Sequence, residues 1–224
     1  MTTPTVSRGR EGHETFESVV ARLRQCRLCR DNPRKGSQPL PHEPRPIIHA
    51  SPTARICIVG QAPGIRAHDT QRSFNDPSGV RLRSWLGMDD ATFYDRRKVA
   101  LIPMGFCFPG YDANKSDLPP RRECAETWRD QLFAQMPDIR LMVILGTYAQ
   151  RWHLGPKVAR EGVNNVVSRW HDFYEAEGGL KRFVLPHPSW RNNAWLKRNP
   201  WFEADVLPVL KRDVRETLSG FPQD

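Results

Sequence analysis

Three short stretches gather residue types that can do chemistry together. "HPSWRN" (187–192) sets the imidazole of His187 beside a hydroxyl at Ser189, an indole at Trp190, a guanidinium at Arg191 and an amide at Asn192. A loop of this kind can bring backbone phosphates to Ser189 and Arg191 while His187 faces a base. "RSFNDPSG" (72–79) places Phe74, Asn75 and Asp76 side by side. An aromatic face next to a carboxylate can hold a planar heterocycle and orient a water; the plainer roles are core packing for Phe74 and a helix N-cap for Asp76. "GQAPG" (60–64) carries glycines that let a backbone turn sharply and approach a ligand closely. It has neither the G-x-G-x-x-G spacing nor a G-K-S/T ending, so no nucleotide cofactor is expected there.

The cysteines form a second constellation. Cys26 and Cys29 make a C-x2-C pair, and sixteen residues separate Cys107 from Cys124. Four thiolates can hold a [4Fe–4S] cluster or a tetrahedral zinc ion. Cys57, inside the apolar run "ICIVG", is expected in the core. No stretch approaches the roughly 18 apolar residues of a membrane span, and "MTTPTVSRGREGHETF" lacks the apolar centre of a signal peptide. A cytoplasmic protein without membrane contact is therefore expected, with thiols or metal ligands rather than a disulfide framework. The formal net charge of +9 suits a polyanionic partner.

These groups must be positioned by the elements around them. The 224 residues suffice for one well-cored domain, expected over 14–220 behind a polar, disordered tail of residues 1–13. In "ETFESVVARLRQC", Phe16, Val19, Val20 and Leu23 repeat at i, i+3, i+4 and i+7, which predicts a helix with one buried stripe. A Pro-rich connection follows. "RICIVG" (55–60), "KVALIPMG" (98–105), "IRLMVILG" (139–146) and "KRFVLP" (181–186) read as four buried strands separated by helical patterns. Near-continuous apolar strands alternating with helices predict a parallel sheet covered on both faces. Ligands of such sheets sit at the carboxyl ends of the strands, where all three stretches above begin or return. Pro208 interrupts the last helical pattern and is expected to kink it.

"GQAPG" after the first strand, then "FND", then "HPSWRN" after the last resemble the motifs of the uracil-DNA glycosylase superfamily. The chain is most similar to the iron–sulfur-containing bacterial and archaeal branch, with the last loop similar to that of the single-strand-selective branch. The resemblance implies a three-layer α/β/α sandwich around a central four-stranded, mainly parallel sheet. It also implies a monofunctional, monomeric DNA repair enzyme that hydrolyses the N-glycosidic bond of a flipped, deaminated base in DNA, uracil first. On that resemblance Phe74 stacks on the flipped base, the Gln61–Ala62 region and Asn75 contact it, and His187 bonds the oxygen on which charge develops. Asp76 orients water or stabilises the oxocarbenium-like sugar, with Asp69 as second candidate. Ser189, Trp190, Arg191 and Asn192 meet the DNA, and Cys26, Cys29, Cys107 and Cys124 hold the metal centre. Gln61 and Ala62 stand where many relatives carry an acidic residue or asparagine, and Pro103 stands near the usual base-reading asparagine. These departures admit other deaminated bases, or a metal-containing DNA-binding protein of the same fold without catalysis.

Overall fold

The computed structural model describes residues 14–175 and 179–221; the expected tail, 1–13, lies outside them. Four strands, β1 (Ile56–Val59), β2 (Val99–Leu101), β3 (Leu141–Leu145) and β4 (Lys181–Leu185), pair all parallel in the order β2-β1-β3-β4. The chain leaves β1 for one neighbour and later returns to the other, so the order of strand addition reverses at β1. The exit of β1 is "GQAPG", the place where open parallel sheets bind ligands.

Helices α1 (Phe16–Arg24) and α2 (Leu28–Asp31) precede the sheet. Then α3 (Ile65–Thr70), α4 (Pro77–Leu86) and α5 (Asp90–Phe93) connect β1 to β2, and α6 (Arg122–Ala134) connects β2 to β3. Among the described residues, α7 (Gly146–His153), α8 (Pro156–Ala159), α9 (Gly162–Ser168) and α10 (His171–Tyr174) lie between β3 and β4. The chain closes with α11 (Asn193–Arg198), a π-helical turn (Phe202–Val206) and α12 (Leu207–Leu218). Pro208 follows directly on the π turn Phe202–Val206, through which the helical backbone runs unbroken from Trp201 into α12, and that π turn is the irregularity of the last helix.

Strand pleating divides the core into two layers. Ile56 and Ile58, Val99 and Leu101, and Leu141, Val143 and Leu145 pack with Leu82, Trp85, Phe93, Phe202 and Leu210 on one face. Cys57, Val59, Ala100, Met142 and Ile144 pack on the other face with the α1 stripe Phe16, Val19, Val20 and Leu23 and with Trp128 and Leu132 of α6. This is the three-layer α/β/α arrangement. The outer edge of β2 is covered by the preceding segment: the Leu101 N–H donates to the His49 carbonyl at 2.7 Å in an antiparallel bridge. No helix among the described residues is long and apolar enough to cross a membrane.

Candidate active site

The exits of β1, β2 and β4 contribute walls of a cleft with a volume of about 540 Å³. From β1 come Gly60, Gln61, Ala62 and Gly64; from β2, Leu101, Pro103, Pro109 and Asp117; from β4, His187, Ser189, Trp190, Arg191 and Asn192. Phe74, Asn75, Asp76 and Ser78 close it. The cleft gathers every expected base-binding and DNA-binding residue together with two of the three expected catalytic ones. Asp69, on α3, is not among the residues that line it.

Phe74 is held in place by its backbone. It adopts φ +56°, a left-handed conformation that side chains rarely take, and its carbonyl accepts from Arg83 Nη1 at 3.0 Å. Arg83 is itself anchored to Asp90 at 2.6 Å, and Tyr94 Oη donates to the Ser73 carbonyl at 2.9 Å. Arg72 lies over the Tyr94 ring at 3.8 Å. The Phe74 ring then packs edge-on against buried Phe93, with centroids 6.1 Å apart, while remaining part of the cleft wall. Asn75 is tied to the same loop, its Nδ2 donating to Thr70 Oγ1 at 2.6 Å.

Asp76 caps a helix and lines the cleft at once. Its Oδ1 accepts from the Gly79 N–H at 3.1 Å and from Ser78 Oγ at 2.7 Å, capping α4. Both bonds use the same oxygen, which leaves Oδ2 for a water in the cleft.

His187 follows β4 directly. The Ser189 N–H donates to its Nδ1 at 3.3 Å, so in the neutral ring the proton belongs to Nε2. Burial lowers its pKa below the usual histidine value; Asp76 works against this and Arg191 with it. The result is a neutral imidazole presenting an Nε2–H donor. The loop is laced around it: Asn192 Nδ2 donates to the His187 carbonyl at 2.6 Å, and Arg81 Nη1 donates to the carbonyls of Pro188 (3.2 Å) and Ser189 (3.1 Å). Arg81 Nη2 also reaches Asn193 Oδ1 at 2.8 Å. Trp190 is left 74% exposed at the tip. Trp195 instead packs against Trp201 and Phe202 and donates to Asn164.

Sequence reading missed Asp117 and Arg81. Asp117 Oδ2 would stand 3.6 Å from a Cβ on Gly64, and burial raises its carboxyl pKa against the pull of Arg191. Nothing in "DANKSDLPP" marks it, because its place depends on how the long connection after β2 folds back.

The four spaced cysteines meet beneath the N-terminal segment. Cys26, Cys29, Cys107 and Cys124 line one small cavity with Leu23, Leu40, Phe106 and Trp128. Trp128 Nε1 donates to Cys26 Sγ at 3.3 Å and the Phe106 N–H to Cys124 Sγ at 3.4 Å. Burial pushes the Cys29 thiol up to about 11 and the Cys107 thiol to about 12, and raises Cys124 as well. The donor set suits a soft metal centre, and the two N–H groups are aimed at its sulfurs. The sulfurs do not gather at one point: among the described residues, no three Cys, His, Asp or Glu side chains are placed to share a single metal ion. Cys57 is fully buried in β1, in the core as expected.

The profile of the "Uracil DNA glycosylase superfamily" matches residues 48–211, well over half of the 224-residue chain. The chain belongs to the uracil DNA glycosylase superfamily. Among solved structures it is similar to "a putative Uracil DNA glycosylase from Methanosarcina acetivorans", with 14% identity over 74% of this chain and 94% of that one, at a TM-score of 0.45. The superfamily match spans all four strands and every residue named in the cleft, while Cys26 and Cys29 lie before it.

Proposed function

We propose that this superfamily member is a monofunctional DNA glycosylase that hydrolyses the N-glycosidic bond of a flipped, deaminated base, with uracil the first substrate. The observation that carries the reading is the convergence of Phe74, Asp76 and the Nε2–H of His187 on one cleft. A base extruded from the stack would lie on Phe74. As the C1′–N bond breaks, its electron pair leaves with the base, and the His187 Nε2–H donates to the oxygen that carries the charge. Water bonds to C1′ on the opposite side and gives its proton to Asp76; the base anion takes a proton from solvent on release. Among the described residues, no lysine lines the cleft, which supports hydrolysis by water over a Schiff base. Ser189 and Arg191 would hold the flanking phosphates while exposed Trp190 enters the vacated stack.

The cleft wall is apolar at Ile58, Leu101 and Pro103, and Pro103, which stands near the base-reading position of relatives, offers no side-chain donor. Discrimination among deaminated bases is accordingly expected to be modest. The test is incubation of the protein with oligonucleotides containing uracil, hypoxanthine or xanthine, followed by alkaline cleavage. Strand scission at the uracil is expected; no abasic product with any of the three overturns the reading and leaves a DNA-binding protein without catalysis.

We also propose that Cys26, Cys29, Cys107 and Cys124 hold a [4Fe–4S] cluster, with zinc the alternative. Zinc needs its sulfurs gathered at about 2.3 Å from one point. A cluster takes one thiolate at each of four irons spread over a cage, a better match to cysteines that surround a cavity without converging. Its role would be structural, tying α1 and α2 to the segment after β2. Cys26→Ser is expected to lower iron content and soluble yield together; full stability after metal loss would defeat the structural role.

A further inference from the structure

Arg129 lies on α6, behind the sheet, with 0% exposure. A buried guanidinium ordinarily keeps a carboxylate beside it. Here each hydrogen-bond partner is neutral: Nη1 donates to the carbonyls of Ile102 (2.8 Å) and Pro103 (2.9 Å), and Nη2 meets His153 Nε2 at 2.6 Å. Burial drives His153 down to about 3 and Arg129 only to about 10, so the first stays neutral and the second charged. This cation stands immediately behind the exit of β2.

Of the two carbonyls, only one leads further. The Ile102 carbonyl is bonded to the nitrogen of Pro103, which has no hydrogen. The Pro103 carbonyl belongs to the peptide whose N–H, on Met104, donates to the Gly60 carbonyl at 2.9 Å. That carbonyl in turn belongs to the peptide whose N–H is on Gln61, in the cleft wall. Among the described residues, the Gln61 N–H meets no acceptor, while the Gln61 carbonyl is fixed by the Gly105 N–H at 3.0 Å. Donors in series polarise one another, and a full positive charge at the head of the series strengthens each later N–H.

We propose that Arg129 is a positioning residue that acts through the Pro103–Met104 and Gly60–Gln61 peptides to aim and strengthen the Gln61 N–H as a donor to the leaving base. It rests on the glycosylase reading above. The electron balance is that of base release: the pair from the C1′–N bond becomes charge on the base, and Arg129 stabilises that charge through two peptides without touching it. It would be the counterpart, on the β1 side of the cleft, of His187 on the β4 side.

The test compares wild type, Arg129→Lys and Arg129→Gln in single-turnover release of uracil and of 5-fluorouracil from otherwise identical oligonucleotides. Fluorine makes the departing anion more stable and less dependent on help from the protein. Release of uracil by wild type upholds the glycosylase reading independently; no release overturns that reading and this inference together. Arg129→Gln is expected to slow uracil release about tenfold, the equivalent of one hydrogen bond to a charged group, and to slow 5-fluorouracil release distinctly less. Arg129→Lys, which keeps the charge but has a single ammonium for two carbonyls, should fall between. A merely structural loss would slow both substrates equally, so an unchanged ratio of the two rates overturns the inference. Should Arg129→Gln fail to fold, Arg129→Lys decides by the same ratio.

Discussion

Gly79→Ala tests how Phe74 is held. A Cβ built on Gly79 would meet the Phe74 carbonyl oxygen at 1.7 Å and its carbonyl carbon at 2.4 Å. Restoring an ordinary C···O separation of about 3.3 Å requires the carbonyl to retreat by about 1.6 Å. That carbonyl is held by Arg83 at 3.0 Å, so the retreat breaks a charged hydrogen bond as well. Overpacking costs about 1–3 kcal/mol and the lost bond about 1.5–3 kcal/mol. Alanine returns about 1 kcal/mol of helix propensity. Partial relaxation of the loop overlaps the first two costs, so a net destabilisation of about 2–4 kcal/mol is expected. Activity should suffer more than stability, since misplacing a positioning group by about 1 Å can cost about 100-fold. Denaturant unfolding and single-turnover uracil release read the two effects, with Val80→Ala, one residue on and exposed, as the neutral control. A Gly79→Ala protein with wild-type stability and wild-type rate would refute the account of Phe74.

Three further outcomes follow from the same geometry. His187→Gln should lower the release rate by about 100-fold or more, as for loss of one preorganised donor; in the wild type, because burial keeps His187 neutral and its Nε2–H is present in either protonation state, its contribution should not titrate away as pH falls through 6.5. Folding stability should fall as pH drops below about 6.5: unfolded histidines take up protons there while His153, held down to about 3, does not, so the unfolded state binds more protons across that window. Denaturant titrations at several pH values should show the slope, and His153→Gln should reduce it, leaving the part due to His42, His49, His68 and His187, which burial also lowers. Trp190→Ala should change stability by less than about 0.5 kcal/mol, its side chain being exposed, yet weaken activity on duplex DNA more than on single strands; equal loss on both would remove Trp190 from the stack.

Much of this arrangement can be read from residue order. The four strands announce themselves as apolar runs, because strands buried on both faces need no alternation, and the α1 stripe Phe16, Val19, Val20 and Leu23 is buried as its spacing predicts. The cleft residues are legible where a strand delivers them within a few positions, as with Gln61 and His187. Legibility fails where a long connection intervenes. Asp117 arrives sixteen residues after β2 ends, and its approach to Gly64 is set by tertiary packing alone. Arg129 fails for another reason: a charged residue in a helical pattern is assigned to solvent, whereas carbonyls freed at the end of β2 give this one an interior position. Asp69 illustrates the reverse error, a carboxylate close in sequence to the first loop that the turn of α3 places outside the cleft. The double duty of Asp76 was invisible as well, since its N-cap bonds and its place in the cleft were alternatives in sequence and are simultaneous in space.

The all-parallel order of the sheet also governs how the protein becomes competent. β4 is the last strand of the sheet, paired with β3 and bridged at its start by Glu175 to Lys181, and it carries the His187 loop. Parallel pairings of distant segments form slowly because loop closure precedes the contacts that reward it. The longest such closure joins β1 to β3, Ile56 to Leu141, and only when β4 is also paired does the His187 imidazole stand opposite Gln61 and Pro103. If the protein releases bases as proposed, recovery of that activity during refolding counts only molecules in which the edge strand has docked, whichever pairing closes last.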